Sequence, residues 1–334
     1  MAISKRPREK PFFEHSRVLP RLSGLFLVYL LSTGLARPDD AASCSNLQTV
    51  AGAPAAATPS PRHPFLTVAS LNLARENRTE RVIGELRRLQ QRLELDILLL
   101  QEVDQEPGNQ GLLVARVAEA LGHYCVFAPA DLWRNGGLHG LAILSRWPLA
   151  EIEVVPLRQF NLRFRKRCRI GLAVTAATPH GPARVFNLHL DSRINTGERL
   201  QQLAPILRSA EQFAGDCLIG GDFNTADFRW FRRWMPLPYG ARQSNAVRRE
   251  LAERGFQTPL ESTGATFKYL GLKLDWIFLR GLSPMACGVE KIGFSDHRAV
   301  WARMAVPGAP RSPDKSPTIR PVESNAAPAS LSQP

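Results

Sequence analysis

The sequence predicts an α/β protein that is built around a buried sheet. Residues 97–100 are all apolar, which is typical of a strand that is covered on both faces. Residues 67–72 and 184–191 alternate between apolar and polar side chains, and this pattern also predicts strands. Other stretches carry apolar residues three and four positions apart. This spacing predicts helices over residues 78–92, 111–121 and 196–213.

Polar side chains follow these three predicted strands at the points where the strands end. Asn72 ends the first strand and Glu102 follows the second. His189 and Asp191 end the third, two residues apart and therefore on one face. A carboxylate at the mouth of a buried strand needs a partner, so Glu102 is a candidate functional group. Asn72 fits a turn equally well, and Asp191 fits the N-cap of the following helix.

The second half of the chain adds further polar groups at strand ends. A short apolar run leads into Asp222 and Asn224, which are two apart and can together hold a water molecule or a phosphate oxygen. Asp275 begins another apolar run, where it best serves as the orienting partner of an imidazole. His297 directly follows Asp296, and such a pair can combine metal or anion binding with proton transfer.

Six short motifs follow one another in a characteristic order. They are Asn72, Gln101-Glu102, His189-Leu190-Asp191, Gly221-Asp222-Phe223-Asn224, Leu274-Asp275-Trp276 and Ser295-Asp296-His297. Together they resemble the endonuclease/exonuclease/phosphatase superfamily, which includes deoxyribonuclease I, exonuclease III, the neutral sphingomyelinases and the inositol polyphosphate 5-phosphatases. The resemblance covers about residues 65–305. It implies a four-layer α/β sandwich, in which two mixed β-sheets pack face to face with helices outside.

The resemblance also implies hydrolysis of a phosphate ester with a divalent metal. The expected metal is Mg²⁺, with Mn²⁺ or Ca²⁺ as alternatives. Glu102 would be the main metal ligand, assisted by Asn72 and Asp296. Hard cations of this kind prefer oxygen ligands and keep several waters, so a few protein ligands are enough.

The remaining motif residues would carry out the chemistry. Asp222 would orient or deprotonate the attacking water, and Asn224 would hold that water or a phosphate oxygen. His297, steadied by Asp275, would hydrogen-bond the phosphate, and His189 would do so from the other side. These groups supply positioning and electrostatic stabilisation rather than a covalent intermediate.

The run of residues 140–146 also fits the resemblance, because the family often has Gly-x-Ala-x-Leu-Ser-Arg at this point. Arg146, at the end of the run, could reach a phosphate. His139, just before it, could contact the substrate, although a single histidine at the start of a strand is more often simply exposed. Both residues are candidate substrate-binding groups.

The chain of 334 residues is long enough for one large α/β domain with tails. Residues 1–36 join a basic segment to an uncharged run that is short for a membrane span but typical of a signal peptide. An uncleaved anchor is the alternative. We expect a Pro/Ala-rich linker at 37–63, the catalytic domain at 64–306 and a disordered tail at 307–334. The protein is therefore expected to be exported or anchored to the membrane.

The cysteines leave their redox state open. Cys44 lies in a segment that resembles a bacterial lipoprotein box only loosely. Cys125, Cys168, Cys217 and Cys287 could form two disulfides in three ways. Cys125 and Cys217 lie in apolar strands, where a packed free thiol is an equally good interpretation. No pair of cysteines has zinc-ligand spacing.

The formal net charge of +13 is raised by the two ends of the chain: residues 63–306 have 32 Lys and Arg against 24 Asp and Glu, a net charge of +8. Within these residues the excess is concentrated in two arginine-rich clusters, residues 163–169 and 229–249. We call the second cluster the basic–aromatic segment, because its arginines alternate with tryptophan, phenylalanine and tyrosine. Such a segment fits phosphate contacts and base stacking in a nucleic acid. It also fits an anionic membrane surface, or a merely solvated surface. No dedicated protein partner is inferred.

The sequence therefore favours an exported, metal-dependent phosphodiesterase that acts on DNA or RNA. One alternative on the same fold is a phospholipid-headgroup phosphodiesterase or a phosphatase of a soluble phosphate ester. A further alternative is a binding protein that keeps the fold without the chemistry. The complete set of motif residues argues against this last alternative.

Overall fold

The computed structural model describes residues 47–55, 65–107, 112–162, 168–238 and 242–305. The strands, in chain order, are β1 (Val50–Gly52), β2 (Phe65–Asn72), β3 (Ile97–Gln105), β4 (Tyr124–Leu132), β5 (Leu138–Ser145), β6 (Leu149–Pro156), β7 (Ile170–Thr178), β8 (Gly181–His189), β9 (Asp216–Asp222), β10 (Arg229–Phe231), β11 (Met235–Leu237), β12 (Asp275–Arg280), β13 (Ser283–Glu290) and β14 (Ala299–Ala305). The helices are α1 (Thr79–Leu93), α2 (Leu113–Leu121), α3 (Thr196–Glu211) and α4 (Gln243–Ala252).

Most of these strands form two large mixed sheets. The first sheet has seven strands in the order β1-β4-β5-β3-β2-β14-β13, and the second has five in the order β12-β9-β8-β7-β6. Each sheet contains one parallel pair, β2 with β3 and β8 with β9. The strands β10 and β11 form a separate antiparallel hairpin. The carboxyl ends of each parallel pair lie at one edge of their sheet, which is where the sequence places its polar motifs.

The two sheets pack face to face over an apolar core. This core contains Leu99 of β3 together with Leu218 and Ile277 of the second sheet, all of them fully buried. Gly220 lies where the sheets approach most closely, because a Cβ atom built there would stand 2.5 Å from Cδ1 of Leu99. A larger residue at position 220 would force the sheets apart, so glycine is required for this packing distance.

The helices cover the outer faces of the sheets. Leu86 of α1 and Val117 of α2 share a second apolar core with Leu98 and Phe127 of the first sheet. The helix α3 packs directly on β7, since a Cβ atom at Gly171 would lie 2.1 Å from Ile206 of that helix. The order of layers is therefore helix, sheet, sheet, helix. The predicted four-layer α/β sandwich is confirmed.

The predicted helices agree with α1, α2 and α3 to within two residues at each end. The helix α4 was not predicted, because its buried face consists of Gln243, Val247 and Leu251 within an arginine-rich stretch. The predicted linker is wrong for residues 50–52. These residues form β1, which pairs with β4 at the edge of the first sheet, so the folded domain includes part of the region assigned to the linker.

The predicted signal or anchor segment, Cys44 and the predicted tail lie outside the described residues. In the part of the chain that the structure does describe, no helix is long and apolar enough to cross a membrane. Cys125, Cys217 and Cys287 are free and buried, whereas Cys168 is disulfide-bonded. No disulfide therefore joins any two of these four cysteines, and the packed-thiol interpretation is confirmed for Cys125 and Cys217.

Candidate active site

Strand register brings three of the predicted residues into one row. Asp222 ends β9, and it is paired with His189 of the parallel neighbour β8 and with Asp275 of the antiparallel neighbour β12. These three residues, which lie up to 86 positions apart in the chain, are therefore adjacent across the second sheet. Gly221 is required just before Asp222. Its φ is 144°, and a Cβ atom there would lie only 2.0 Å from the carbonyl oxygen of Leu188.

The Asp222 carboxylate is the centre of the site, and it is almost fully buried. Its Oδ2 atom lies 3.4 Å from Nε2 of His189 and 3.8 Å from Nε2 of His297. Asn72, which reaches over from the end of β2, donates its Nδ2 hydrogen to the same oxygen at 3.1 Å. The backbone N–H of Asn224 donates to Oδ1 at 2.9 Å. Both sheets and the loop after β9 thus converge on one carboxylate.

His297 forms a hydrogen-bonded pair with Asp275. Its Nδ1 atom lies 2.8 Å from Oδ2 of Asp275, and both side chains are buried. The ring of Phe267 packs edge-on against the imidazole, with the ring centroids 5.2 Å apart. This arrangement fixes the ring orientation and directs Nε2 towards Asp222.

The electrostatics of this pair favour a charged imidazole. Burial lowers the pKa of His297, but Asp275 and Asp222 outweigh burial and raise it to about 10. Burial and the negative charge of Asp275 raise the pKa of Asp222 to about 7. His297 is therefore a cation at neutral pH, which suits a group that stabilises negative charge on a phosphate. The carboxylate of Asp222 is poised to exchange a proton near neutrality.

Glu102 is presented by a bulge in β3. Between the pairs Leu100 with Ala142 and Val103 with Gly140, two residues of β3 face one residue of β5. Glu102 itself has a left-handed φ of 51°. A bulge of this kind redirects one side chain out of the normal alternation of the strand. The bulge therefore turns Glu102 away from the sheet face that its neighbours share.

A buried amide of the opposite sheet, Asn187, holds the bulge together with the buried amide of Gln101 in β3. Asn187 of β8 donates from Nδ2 to the carbonyl oxygens of Leu100 and Ala142, at 2.9 Å each. Its Oδ1 atom accepts a hydrogen bond from Gln101 Nε2 at 2.7 Å. Asn187 and Gln101 have no exposed surface. Sequence reasoning missed Asn187, although its position two residues before His189, and therefore on the same face of the strand, was the available signal.

Glu102 and Asp296 fit the predicted metal site. Both are half-buried, and they interact electrostatically. Burial raises the pKa of Asp296, and the negative charge of Glu102 raises it further. Two carboxylates that repel one another in this way provide the oxygen ligands and the charge that Mg²⁺ requires. The Oδ1 atom of Asn72 accepts a hydrogen bond from the N–H of Ala74, which leaves one lone pair for a metal.

A second group of ligand atoms consists of Asp222, Asp275 and His297, which lie within 4.8 Å of one another. In that group the Nδ1 atom of His297 is already engaged by Asp275. The Glu102 and Asp296 pair offers oxygen atoms alone, and hard divalent cations prefer such a set. Glu102 and Asp296 therefore fit a hard divalent cation better than the Asp222 group does.

Arg169 is a site residue that sequence reasoning assigned only to a basic cluster. It is buried, and its Nε atom lies 2.8 Å from Oδ1 of Asp191. Burial lowers the pKa of Arg169, but Asp191 and then Glu102 raise it above its ordinary value. This guanidinium therefore places a permanent positive charge near Glu102. Arg169 directly precedes an apolar strand, and a charged residue at the end of a buried strand, as for Glu102, was the signal that could have identified it.

Asp191 is not a helix cap, so that interpretation is wrong. Its Oδ2 atom accepts a hydrogen bond from Gln202 at 2.9 Å, while Oδ1 binds Arg169. The N-cap of α3 is instead Asn195, which forms a reciprocal capping box with Glu198. Asp191 has the role of orienting Arg169.

The two predicted substrate-binding residues lie in different places. His139 is buried rather than exposed, and its Nδ1 atom lies 2.5 Å from Oδ1 of Asp104, two residues beyond Glu102. Arg146 binds the carboxylate and backbone of Asp96, just before β3 begins. Because β3 runs from that point to Glu102 at about 3.3 Å per residue, Arg146 lies at the opposite end of the strand. The structure does not bring Arg146 to the Asp222 cluster.

The protein is therefore a four-layer α/β sandwich with buried carboxylates and imidazoles gathered at one edge of its second sheet. The family model described as Endonuclease/Exonuclease/phosphatase family matches residues 69–297. The chain belongs to that family. A search of curated protein sequences finds no match.

Solved structures give the same fold. The endonuclease/exonuclease/phosphatase from Beutenbergia cavernae DSM 12333 is 22% identical, with a TM-score of 0.59 over 74% of this chain and 73% of that chain. D. rerio TDP2 complexed with single-strand DNA product is 17% identical, with a TM-score of 0.50 over 72% and 98%. ANGEL2, a 2′,3′-cyclic phosphatase in complex with adenosine-2′,3′-vanadate, is 17% identical, with a TM-score of 0.51 over 72% and 95%. At these identities the likeness establishes the fold alone.

Proposed function

We propose that this protein is a divalent-metal-dependent phosphodiesterase that hydrolyses nucleic acid. The observation that carries the proposal is the convergence of Asn72, His189 and His297 on the buried Asp222 carboxylate. This cluster adjoins a second carboxylate pair, Glu102 and Asp296. A proton acceptor, two imidazoles and an all-oxygen metal site are the groups that hydrolysis of a phosphodiester by water requires.

The attacking water would be activated at Asp222. The N–H of Asn224 and the amide of Asn72 hold one lone pair on each carboxylate oxygen, which leaves lone pairs to accept a hydrogen bond from the water. Asp222 accepts the proton from the water as the water oxygen attacks the phosphorus atom, and the bond from phosphorus to the leaving ester oxygen breaks, with its electron pair going to that oxygen. The side chain of Asn224 is itself held by the carbonyl of Leu190 at 2.9 Å, which fixes the loop that carries the base.

The two histidines would stabilise the phosphate as negative charge develops on its oxygens. His297 stays protonated through neutral pH, since Asp275 and Asp222 raise its pKa to about 10. His189 faces the same carboxylate oxygen from the neighbouring strand. When bound by Glu102, Asp296 and Asn72, the metal would supply charge neutralisation at the phosphate and at the leaving oxygen.

Nucleic acid is the proposed substrate because the chain carries a formal charge of +13 and arginines cluster with aromatic residues. The TDP2 structure with single-strand DNA product indicates that this fold can hold a polynucleotide. We further propose export or membrane anchoring, which is supported by the composition of residues 1–36. Fractionation of expressing cells tests that localisation, and recovery of all the protein from the cytosol would exclude it.

The activity is tested with the full-length chain, with Mg²⁺ and then with chelator, on plasmid DNA and on sphingomyelin vesicles in parallel. We expect nicking of DNA that requires Mg²⁺ and disappears in Asp222→Ala. Glu102→Ala should also lose activity and should weaken binding of Mn²⁺. Arg88→Ala, an exposed change on α1, serves as the matched control. Headgroup release without nicking would replace the nucleic-acid proposal, and full activity of Glu102→Ala would refute the metal assignment.

A further inference from the structure

A second surface lies beside the active-site loop, on the hairpin of β10 and β11. We define the basic–aromatic face as the side chains of Arg158, Phe160, Arg229, Phe231, Arg232, Arg233 and Trp234. No acidic residue occurs between Asp227 and Glu250 in the sequence. The hairpin begins five residues after Asn224, so the face continues from the loop that carries the catalytic groups.

The hairpin is fixed to the site rather than free in solvent. Trp230 is buried, and its backbone N–H and carbonyl both bind the side chain of Asn195, at 2.8 and 3.0 Å. Phe228 packs edge-on against Trp230 with centroids 6.5 Å apart. Phe228 also packs against the apolar cluster that contains Phe267, the residue that supports His297. A ligand on this hairpin is therefore held at a set position relative to the reacting groups.

The tip of the hairpin places arginines where glycine would be less strained. Arg232 and Arg233 have left-handed φ values of 48° and 61°, a conformation that is unfavourable for residues other than glycine, asparagine and aspartate. Arg233 is tied down by Glu198 and by the carbonyl of Asn161. Arg232 has no ion pair with any residue of the described ranges and lies over the ring of Phe231 at 5.4 Å. The strained backbone therefore projects a positive charge that no described acidic group neutralises.

Aromatic rings and guanidinium groups alternate across this face. Phe231 is 46% exposed and Trp234 is 41% exposed, which is unusual for large apolar side chains. Phe160 lies between the guanidinium groups of Arg158 and Arg233, each 5.4 Å from its ring. A lipid anchor would instead separate an apolar tip from a basic collar, as in interfacial segments. Mixed rings and charges match a ligand in which bases alternate with phosphates.

We infer that the basic–aromatic face binds a single-stranded nucleic acid, holding the strand as it leaves or enters the active site. Unpaired bases can stack on exposed Phe231 and Trp234, whereas the bases of a duplex are already stacked on one another. The phosphates would pair with Arg229 and Arg232. Arg229 likewise makes no ion pair with the residues that the structure describes. This inference rests on the proposed function, since it names the form of polynucleotide that the site receives.

The test is fluorescence anisotropy of a labelled oligonucleotide of about 12 nucleotides, a length within the usual range for such surfaces. The full-length protein is titrated in chelator, so that no cleavage occurs. Replacing both Phe231 and Trp234 by alanine should weaken binding at least tenfold. Replacing Arg229 and Arg232 should weaken binding and lower the salt dependence by about one phosphate contact per arginine. Ile152→Ala, which is 41% exposed on β6, and Arg88→Ala are the matched controls.

Unchanged affinity in the aromatic double variant would overturn the inference. The inference would also be overturned if the aromatic double variant lost binding to phosphatidylglycerol vesicles while its oligonucleotide affinity stayed intact, because the face would then be a lipid surface. Hydrolysis of bis(p-nitrophenyl) phosphate with Mg²⁺ is measured in parallel. Absence of that hydrolysis in the wild type counts against the proposed function. The anisotropy measurement tests nucleic-acid binding by the basic–aromatic face independently of catalysis.

Discussion

Replacement of Asn187 by leucine tests how the site is built. Asn187 is fully buried and bridges the sheets with three hydrogen bonds, two to carbonyl oxygens of the first sheet and one from Gln101. Leucine has a similar volume but no polar atoms. The substitution therefore removes the bridge with little change in packing.

The expected loss of stability follows from those three bonds. Each contributes about 1 kcal/mol net, and a buried group that is left without a partner costs about 1–3 kcal/mol. The sum is about 4–6 kcal/mol, and the added apolar burial of leucine offsets about 1–2 kcal/mol of it. A net loss of about 2–5 kcal/mol does not exceed the usual stability of a domain, about 5–15 kcal/mol. The variant should fold, and urea unfolding should measure the loss.

The same substitution should weaken metal binding, because the bulge that presents Glu102 loses its support. We expect the Kd for Mn²⁺, measured by electron paramagnetic resonance, to rise at least tenfold, which corresponds to about 1.4 kcal/mol. Leu207→Ala is the control: it removes a buried side chain from α3, on the outer side of the second sheet. It should cost about 2–5 kcal/mol of stability and leave Mn²⁺ affinity within threefold. Equal Mn²⁺ affinity in Asn187→Leu and wild type would refute the link between Asn187 and Glu102.

Three further substitutions examine other parts of the structure. Asp275→Asn removes the negative partner of His297, so the pKa of His297, followed by NMR titration, should fall. Phosphodiester hydrolysis should drop at least a hundredfold, in the range of general acid–base effects of about 10²–10⁴. A rate within threefold of wild type would contradict the role given to Asp275. Gly221→Ala should abolish folding or lower the free energy of unfolding by more than about 3 kcal/mol, because the added Cβ atom would clash with the backbone of Leu188. The helical control is Gly84→Ala, where the added Cβ atom meets open space. This control should leave the free energy of unfolding unchanged or raise it by about 0.5–1 kcal/mol. Burial lowers the pKa of His123 to about 4, and the unfolded chain binds its proton near pH 6.5, so stability falls as pH drops below 6.5. From pH 7.5 to pH 5 the free energy of unfolding, measured in urea, should fall by about 2 kcal/mol more in wild type than in His123→Gln. Equal decreases in the two proteins would show that His123 is not the titrating group.

The row of residues across the second sheet could be predicted because strand ends carry it. Asp222 follows a short apolar run and His189 lies in an alternating stretch, where side-chain alternation assigns its face. Asp275 was predicted as the partner of an imidazole, and the structure gives it His297 at 2.8 Å. These are local patterns, so a single sequence contains them.

Arg169, Asp191 and Asn187 could not be assigned in the same way. Asp191 lies near the start of a helix, and capping is a strong local preference. Its real partner, Arg169, comes from a strand 22 residues earlier. The choice between the two interactions depends on which strands become neighbours. The same holds for Asn187, whose partners Leu100 and Ala142 belong to the other sheet.

Glu102 and Asp222 come from different sheets, so their spacing depends on how those sheets pack. Gly220 sets the distance between the sheets at Leu99, two residues before the bulge begins to turn the chain. Asn187 then ties the bulge to β8, the strand that also delivers His189. A shift of either sheet would therefore move Glu102, the proposed metal ligand, relative to Asp222, the proposed base. The buried amide bridge and the glycine contact lock the two halves together, which explains why polar groups occur within an otherwise apolar interface: they position the reacting groups at a cost in burial that hydrogen bonding offsets.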